Sequence, residues 1–251
     1  MTLTRDGLAA WLDALLEPHR FHDYAPNGLQ IEGRDAVERV AFGVSANQTL
    51  IDQAIAWGAD ALVVHHGFFW KNEAPQLVGW KGRRIGALLR AEVSLFAYHL
   101  PLDAHPEVGN SPLLLRALGA EPQVTFGPVQ PALGVLGALA EPTDSAGLVA
   151  RISARLQRDP LVLGPDRTIR TIACVTGGGA SFFEAAVTAG ADAFVTGEPS
   201  EQSQGYAVEL GVPFFAAGHH ATERLGVQAL QERIGEVWPV ETRFLDVDNP
   251  V

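Results

Sequence analysis

One segment of this chain occurs twice. Ala54-Ile55-Ala56-Trp57-Gly58-Ala59-Asp60-Ala61-Leu62-Val63 is matched by Ala186-Val187-Thr188-Ala189-Gly190-Ala191-Asp192-Ala193-Phe194-Val195. Each copy reads as a helix end, a glycine C-cap, an aspartate turn and a buried strand. A single copy would be an ordinary helix-to-strand connection. Two copies, with corresponding elements on both sides, predict two related half-domains facing one another. Strands alternating with helices then make this an α/β fold of two similar halves, with mostly parallel sheets flanked by helices. The halves are expected at residues 1–125 and 126–251.

The remaining elements follow from periodicity. Leu8, Leu12, Leu15 and Leu16 recur at helical spacing and predict an opening helix that ends near Pro18. Residues 23–28 are polar and turn-rich. Strands are expected at 40–45, 61–64 and 93–98, with helices at 49–57, around Leu88 and at 111–118. The stretch 121–143 is rich in Pro and Gly, with an apolar run at 132–140, and marks the boundary. Beyond it, helices are expected at 146–156, 182–189 and 222–234, and strands at 168–175, 193–196, 212–217 and 240–247.

Composition excludes several classes. Apolar residues make up 47% and charged residues 19%, the balance of a folded globular protein. Acidic residues outnumber basic ones by 29 to 18, a net charge of −11, and no Lys/Arg stripe offsets it. Duplex nucleic acid is therefore a disfavoured partner. The lone Cys174 can form neither an internal disulfide nor a cysteine-based zinc site, which fits a reducing compartment. No basic leader precedes an apolar stretch, and no apolar run approaches twenty residues. A cytoplasmic protein with no membrane partner is expected.

The chemistry lies in the histidines. Six of the eight fall in three clusters, each closely following an apolar strand: His65-His66, His99 with His105, and His219-His220. Ligand sites in open α/β sheets form at the C-terminal ends of strands. Adjacent histidines on a regular strand point to opposite faces, so His65 and His66 share a site only if the strand breaks, which Gly67 permits. Two half-exposed turn histidines are the alternative. Asp103, past Pro101, reads either as a metal ligand or as a helix cap or Asx turn. His99 and His105 are candidates for orienting ligands or substrate. His219 and Glu223 are four apart and share one face of a helix start, a chelating spacing, although a Glu in a first turn also suits the helix dipole.

Taken together, three histidines and two carboxylates match the nitrogen and oxygen donors of zinc, iron, manganese or nickel. Five ligands (His65, His66, Asp103, His219 and Glu223) exceed the need of one open catalytic zinc and suit two divalent ions sharing a bridge, for which Glu223 is the candidate. Glu198 and Glu201 are candidates for a general base, as is His99, or they stabilise their loop. The Gly-rich turn 176–181 follows a strand and precedes a helix; it is either a phosphate cradle or a plain tight turn. Lys71 either meets a phosphate or is a solvated surface lysine.

At these residues the chain resembles the Nif-three-like family of dinuclear metal centre, hexameric proteins, many of whose bacterial members carry the name GTP cyclohydrolase 1 type 2. The resemblance rests on DYAPNGLQIEG from Asp23, GADALVVHHGFFWK from Gly58, HLPLDAHPEVGN from His99, VTGGGASFFEAA from Val175, VTGEPSEQ from Val195 and FFAAGHHATERLG from Phe214. It implies metal ligands at His65, His66, Asp103, His219 and Glu223. It also implies a two-lobed protomer assembled as a toroidal homohexamer, in the short form without an extra domain between the halves. The implied reaction is hydrolytic opening of the guanine ring of GTP with release of formate. A two-metal phosphoesterase acting on a nucleotide or small phosphoester, and a non-catalytic, metal-dependent ring-forming adaptor, are the alternatives.

Overall fold

The computed structural model describes residues 2–251. They form two compact units, residues 2–102 with Gly226–Asp248, and Asp103–Leu225 with Asn249–Val251. This is a division by packing, whereas 1–125 and 126–251 divide the chain by its order. The difference lies chiefly in residues 103–125, which pack in the second unit, and in the last helix and strand, most of which pack in the first.

The first unit holds a five-stranded sheet in the order Glu241–Phe244, Arg39–Ser45, Ala61–His66, Ser94–Ala97, Gly28–Ile31. The first four strands run parallel and Gly28–Ile31 pairs antiparallel at the edge. Ala41, Leu62, Val64 and Leu95 pack against Leu50, Ile51, Ile85 and Leu88 of the helices Gln48–Trp57 and Gly79–Ala91. The alternate residues Val40, Phe42, Val63 and Phe96 are also buried. Burial on both faces is why these strands read as continuous apolar runs. Each such side chain contributes about 1.5–3 kcal/mol by leaving water.

The second unit holds a six-stranded sheet in the order Ala120–Phe126, Gly134–Thr143, Ile169–Val175, Ala193–Thr196, Phe214–Ala216, Leu161–Leu163. Its last three sequential strands, Ile169–Val175, Ala193–Thr196 and Phe214–Ala216, are parallel; the others join antiparallel, so this sheet is mixed. Cys174 and Val195 pack with Leu114, Leu148 and Ile152 in one cluster. Ala173 and Val175 pack in another with Phe183, Phe194 and Phe214, whose rings stand 5.3–5.5 Å apart.

The sequence repeat is a structural repeat. Gly58 and Gly190 both take left-handed backbone, at φ 80° and 97°, where each helix stops. Two residues on, Asp60 Oδ2 accepts the Glu38 and Arg39 N–H groups at 2.9 and 3.0 Å. Asp192 Oδ2 accepts the Arg170 and Thr171 N–H groups at 2.9 and 3.1 Å. Each aspartate thus pins the start of the strand that precedes its own helix.

Several elements lie outside the periodic pattern, among them the two-residue strands Leu3–Thr4 and Ala36–Val37, which pair antiparallel. Gly28–Ile31 begins on a left-handed glycine within a turn-rich segment. Ala120–Phe126 is an exposed edge strand whose register shifts beside Pro122, where proline is tolerated. Leu161–Leu163 has three residues, none buried. The helix Ser203–Leu210 buries only Ser203 and Ala207 and so carries no apolar stripe to read. Among the described residues, no helix is long and apolar enough to cross a membrane.

Candidate metal centre

In the first unit, His65 and His66 occupy the last two positions of the strand Ala61–His66, before Gly67. Strand alternation would separate their side chains, yet their ring centroids are 4.5 Å apart. At Gly67 a side chain is excluded, because a Cβ there would meet Ala97 Cβ at 2.6 Å. His65, fully buried, hydrogen-bonds through Nδ1 to the Tyr98 carbonyl at 2.9 Å. That contact places the ring proton on Nδ1 and the lone pair on Nε2. His66 Nδ1 is held by Ser45 Oγ at 2.9 Å.

His99 completes a group: one ring nitrogen from each of His65, His66 and His99 lies within 4.8 Å of the others. Its Nδ1 donates to Asp23 Oδ1 at 2.7 Å, and the other Asp23 oxygen accepts from Asn27 Nδ2 and the Leu100 N–H. The Trp70 ring packs edge-on against His99, with centroids 5.1 Å apart. Burial pushes the Asp23 carboxyl up, but the hydrogen bond and charge of His99, with the other donors, pull it down to about 2.

In the second unit, Asp103 sits in the helical turn Leu100–Ala104 and is buried. It accepts from Asn110 Nδ2 at 3.0 Å and Thr176 Oγ1 at 3.1 Å, bonds that reach well past its own turn. His219 opens a four-residue helical turn, His219–Thr222; Glu223 closes it with φ −105°, before the helix Arg224–Val237 begins. The expected continuous helix start is therefore a broken one. His219 Nε2 still stands 3.2 Å from Glu223 Oε2. Donors about 2.1 Å from a tetrahedral ion stand about 3.4 Å from one another, so this spacing suits one shared ion.

His219 Nδ1 donates to the Glu198 carboxylate. Burial disfavours the protonated ring, but the hydrogen bonds and charges of Glu223 and Glu198 outweigh it and push His219 up to about 9. The field that holds a proton there is equally a field for a divalent cation. Gly177, left-handed at φ +62°, leaves room for this pair: a Cβ would collide with the Glu223 carboxylate and come within 3.0 Å of His219 Nε2.

These residues sit in a chain with recognisable relatives. The model of the Duf34/NIF3 (NGG1p interacting factor 3) family matches residues 3–250. The chain belongs to this family. A Pseudomonas aeruginosa protein named GTP cyclohydrolase 1 type 2 homolog is 47% identical over 251 residues, 100% of both chains. The solved structure of protein ybgI, described as of unknown function, superposes with a TM-score of 0.93 at 43% identity, covering 99% of this chain and 100% of that one. TTHA1606 from Thermus thermophilus gives 0.88 at 34% identity, with the same coverage.

The donor chemistry of this Duf34/NIF3 chain fits divalent ions: imidazole nitrogens and carboxylate oxygens in buried or half-buried places. His65, His66 and His219 each have Nδ1 tied to a protein oxygen, the usual way in which a metal-ligating imidazole is aimed. Of the candidate bases, Glu198 is committed to His219, Glu201 is exposed, and His99 joins the His65–His66 group. His105 Nδ1 accepts the Glu107 and Val108 N–H groups and closes its own turn. The Gly-rich turn is a scaffold: the N–H groups of Thr176, Gly177 and Gly179 go to Ser111, Thr222 and Thr196. Sequence reasoning did not single out Asp23 and Trp70, although both lie in the quoted motifs; what assigns them is their contact with His99.

Proposed function

We propose that the protein binds two divalent metal ions through His65, His66, Asp103, His219 and Glu223, and hydrolyses a small nucleotide. GTP is the substrate that the names of its relatives point to, with opening of the guanine ring and release of formate. The observation that carries this reading is the Nδ1 anchoring of all three ligand histidines to Tyr98, Ser45 and Glu198. Side chains held in this way have their remaining donor atoms aimed before any ion arrives.

Bound divalent ions would supply Lewis-acid polarisation and lower the pKa of coordinated water. The protein's own groups divide the remaining work. Glu223 is the candidate bridge, and Glu198 keeps His219 oriented. His99 is the proton carrier in this reading: Asp23 holds its Nδ1, and Nε2 exchanges the proton. Trp70 packs against His99 and His66 and limits water at the rings. Zinc, iron, manganese and nickel all suit these donors. The reading includes assembly as a toroidal homohexamer, which light scattering on purified protein checks.

Metal analysis of purified and reconstituted protein, followed by turnover of GTP, tests the proposal. Two ions per chain with formate as product is the expected result. Release of inorganic phosphate would replace the cyclohydrolase reading by a two-metal phosphoesterase. Failure of His65→Ala and Glu223→Ala to reduce metal content would remove the proposed centre.

A further inference from the structure

We propose that the first unit carries a phosphate-binding subsite beside the His65–His66–His99 group, built around Lys71, His19 and His22. These residues line a cavity of about 720 Å³ together with Asp23, Tyr24 and Asn27. The ligand class is a small phosphate-bearing molecule whose phosphate groups occupy the cavity.

Charge gives the first reason. The chain is strongly acidic and has only two lysines, Lys71 and Lys81. Lys81 is buried and taken up by Glu73 at 3.0 Å and the Ala74 carbonyl at 2.9 Å. Lys71 is instead exposed at the cavity wall, as are His19 and His22, whose rings offer N–H donors whether charged or neutral. Asp23, the one acidic side chain among the described lining residues, turns its oxygens to protein donors: His99, Asn27 and the Tyr24 and Leu100 N–H groups. It is only 3% exposed, so its charge is largely withdrawn from an incoming anion.

Backbone gives the second. Phe69 and Asn72 both adopt left-handed φ, 67° and 70°, on either side of Trp70 and Lys71. For Phe69 this conformation costs about 1–2 kcal/mol, whereas asparagine tolerates it more readily. The loop is tied to the opposite wall by the Lys71 N–H, which donates to the Tyr24 carbonyl at 2.6 Å. The same loop lays Trp70 against His99. Strain held at this point places a cation and an aromatic wall together, a pattern expected of a binding loop.

Position gives the third. Asp23 and Tyr24 both line the cavity and touch His99, the first by hydrogen bond and the second by ring contact at 5.8 Å. A molecule whose phosphates lie against Lys71 can therefore present its remainder to the imidazole group. The consequence for turnover rests on the proposed function above; the anion site itself does not.

Calorimetric titration of inorganic triphosphate into full-length protein, stripped of metal by a chelator and then dialysed, tests the subsite. The expected result is saturable binding, weakened about tenfold or more by Lys71→Ala, weakened also by His19→Ala with His22→Ala, and largely restored by Lys71→Arg. No saturable binding by the wild type at millimolar triphosphate would overturn the inference. So would a Lys71→Ala affinity within about threefold of wild type, a difference too small for a lost charge-assisted contact. Lys71 is exposed, so the variant should fold, and its unfolding midpoint checks this. Metal content is measured on the same preparations before stripping. Binding of triphosphate by a protein that takes up no metal would sink the proposed function and leave the subsite standing; the reverse outcome would sink the subsite alone.

Discussion

The Asp23 carboxylate and the His99 imidazole, 76 residues apart in the chain, are joined by a 2.7 Å hydrogen bond from Nδ1 to Oδ1. This bond orients the ring that stands with His65 and His66, and it holds the Asp23 carboxyl at about 2, below its ordinary value of 3.8. A carboxyl whose folded value is lowered stabilises the fold above the unfolded value and loses that contribution as pH falls through the folded one. Asp23→Asn should therefore cost about 2 kcal/mol at neutral pH, a gap from wild type that closes as pH falls from about 4 towards 2. Urea unfolding of both proteins at pH 7 and pH 3 measures it; an equal gap at the two pH values would contradict the assignment.

Gly177→Ala should do double damage. The residue is left-handed and its Cβ would strike the Glu223 carboxylate, so a loss of about 2–4 kcal/mol is expected from backbone strain and overpacking. Metal uptake should fall with it. Gly178→Ala is the control, because a Cβ there meets nothing within 4 Å. Thermal unfolding and elemental analysis of the pair decide the matter, and equal behaviour of the two variants would argue against the tight fit.

Glu198 accepts the His219 Nδ1 proton and would act on the proposed centre through that ring. Its removal as Glu198→Ala should lower metal affinity by about 10–100-fold while leaving the other ligands in place. Competition with a chromogenic chelator reads this directly. An unchanged affinity would show that the ring needs no carboxylate to hold it.

Asp60 and Asp192 each accept two backbone N–H groups at the start of a neighbouring strand. Asp60→Ala and Asp192→Ala should each destabilise the protein by about 1–3 kcal/mol through the donors left behind. Denaturant titrations that find either substitution neutral would mean that water replaces the carboxylate at no cost.

Local pattern determined a large part of this molecule. The repeated helix–glycine–aspartate–strand segment appears as two connections with left-handed glycines and matching aspartate hydrogen bonds. The apolar runs became buried strands, and the histidine clusters fall at or just beyond strand ends, because backbone conformation and burial are written in residues a few positions apart. Residues without such a signature were invisible: the edge strand Ala120–Phe126, the helix Ser203–Leu210 and the three-residue strand Leu161–Leu163 expose most of what they carry. Only the tertiary structure decided that Asp103 answers Thr176, that Asp23 holds His99, that the Thr176, Gly177 and Gly179 amides go to Ser111, Thr222 and Thr196, and that the last strand pairs beside Arg39–Ser45. Those contacts join residues from 17 to more than 200 positions apart, and such pairings are set by how sheets and helices pack, which no local spacing records.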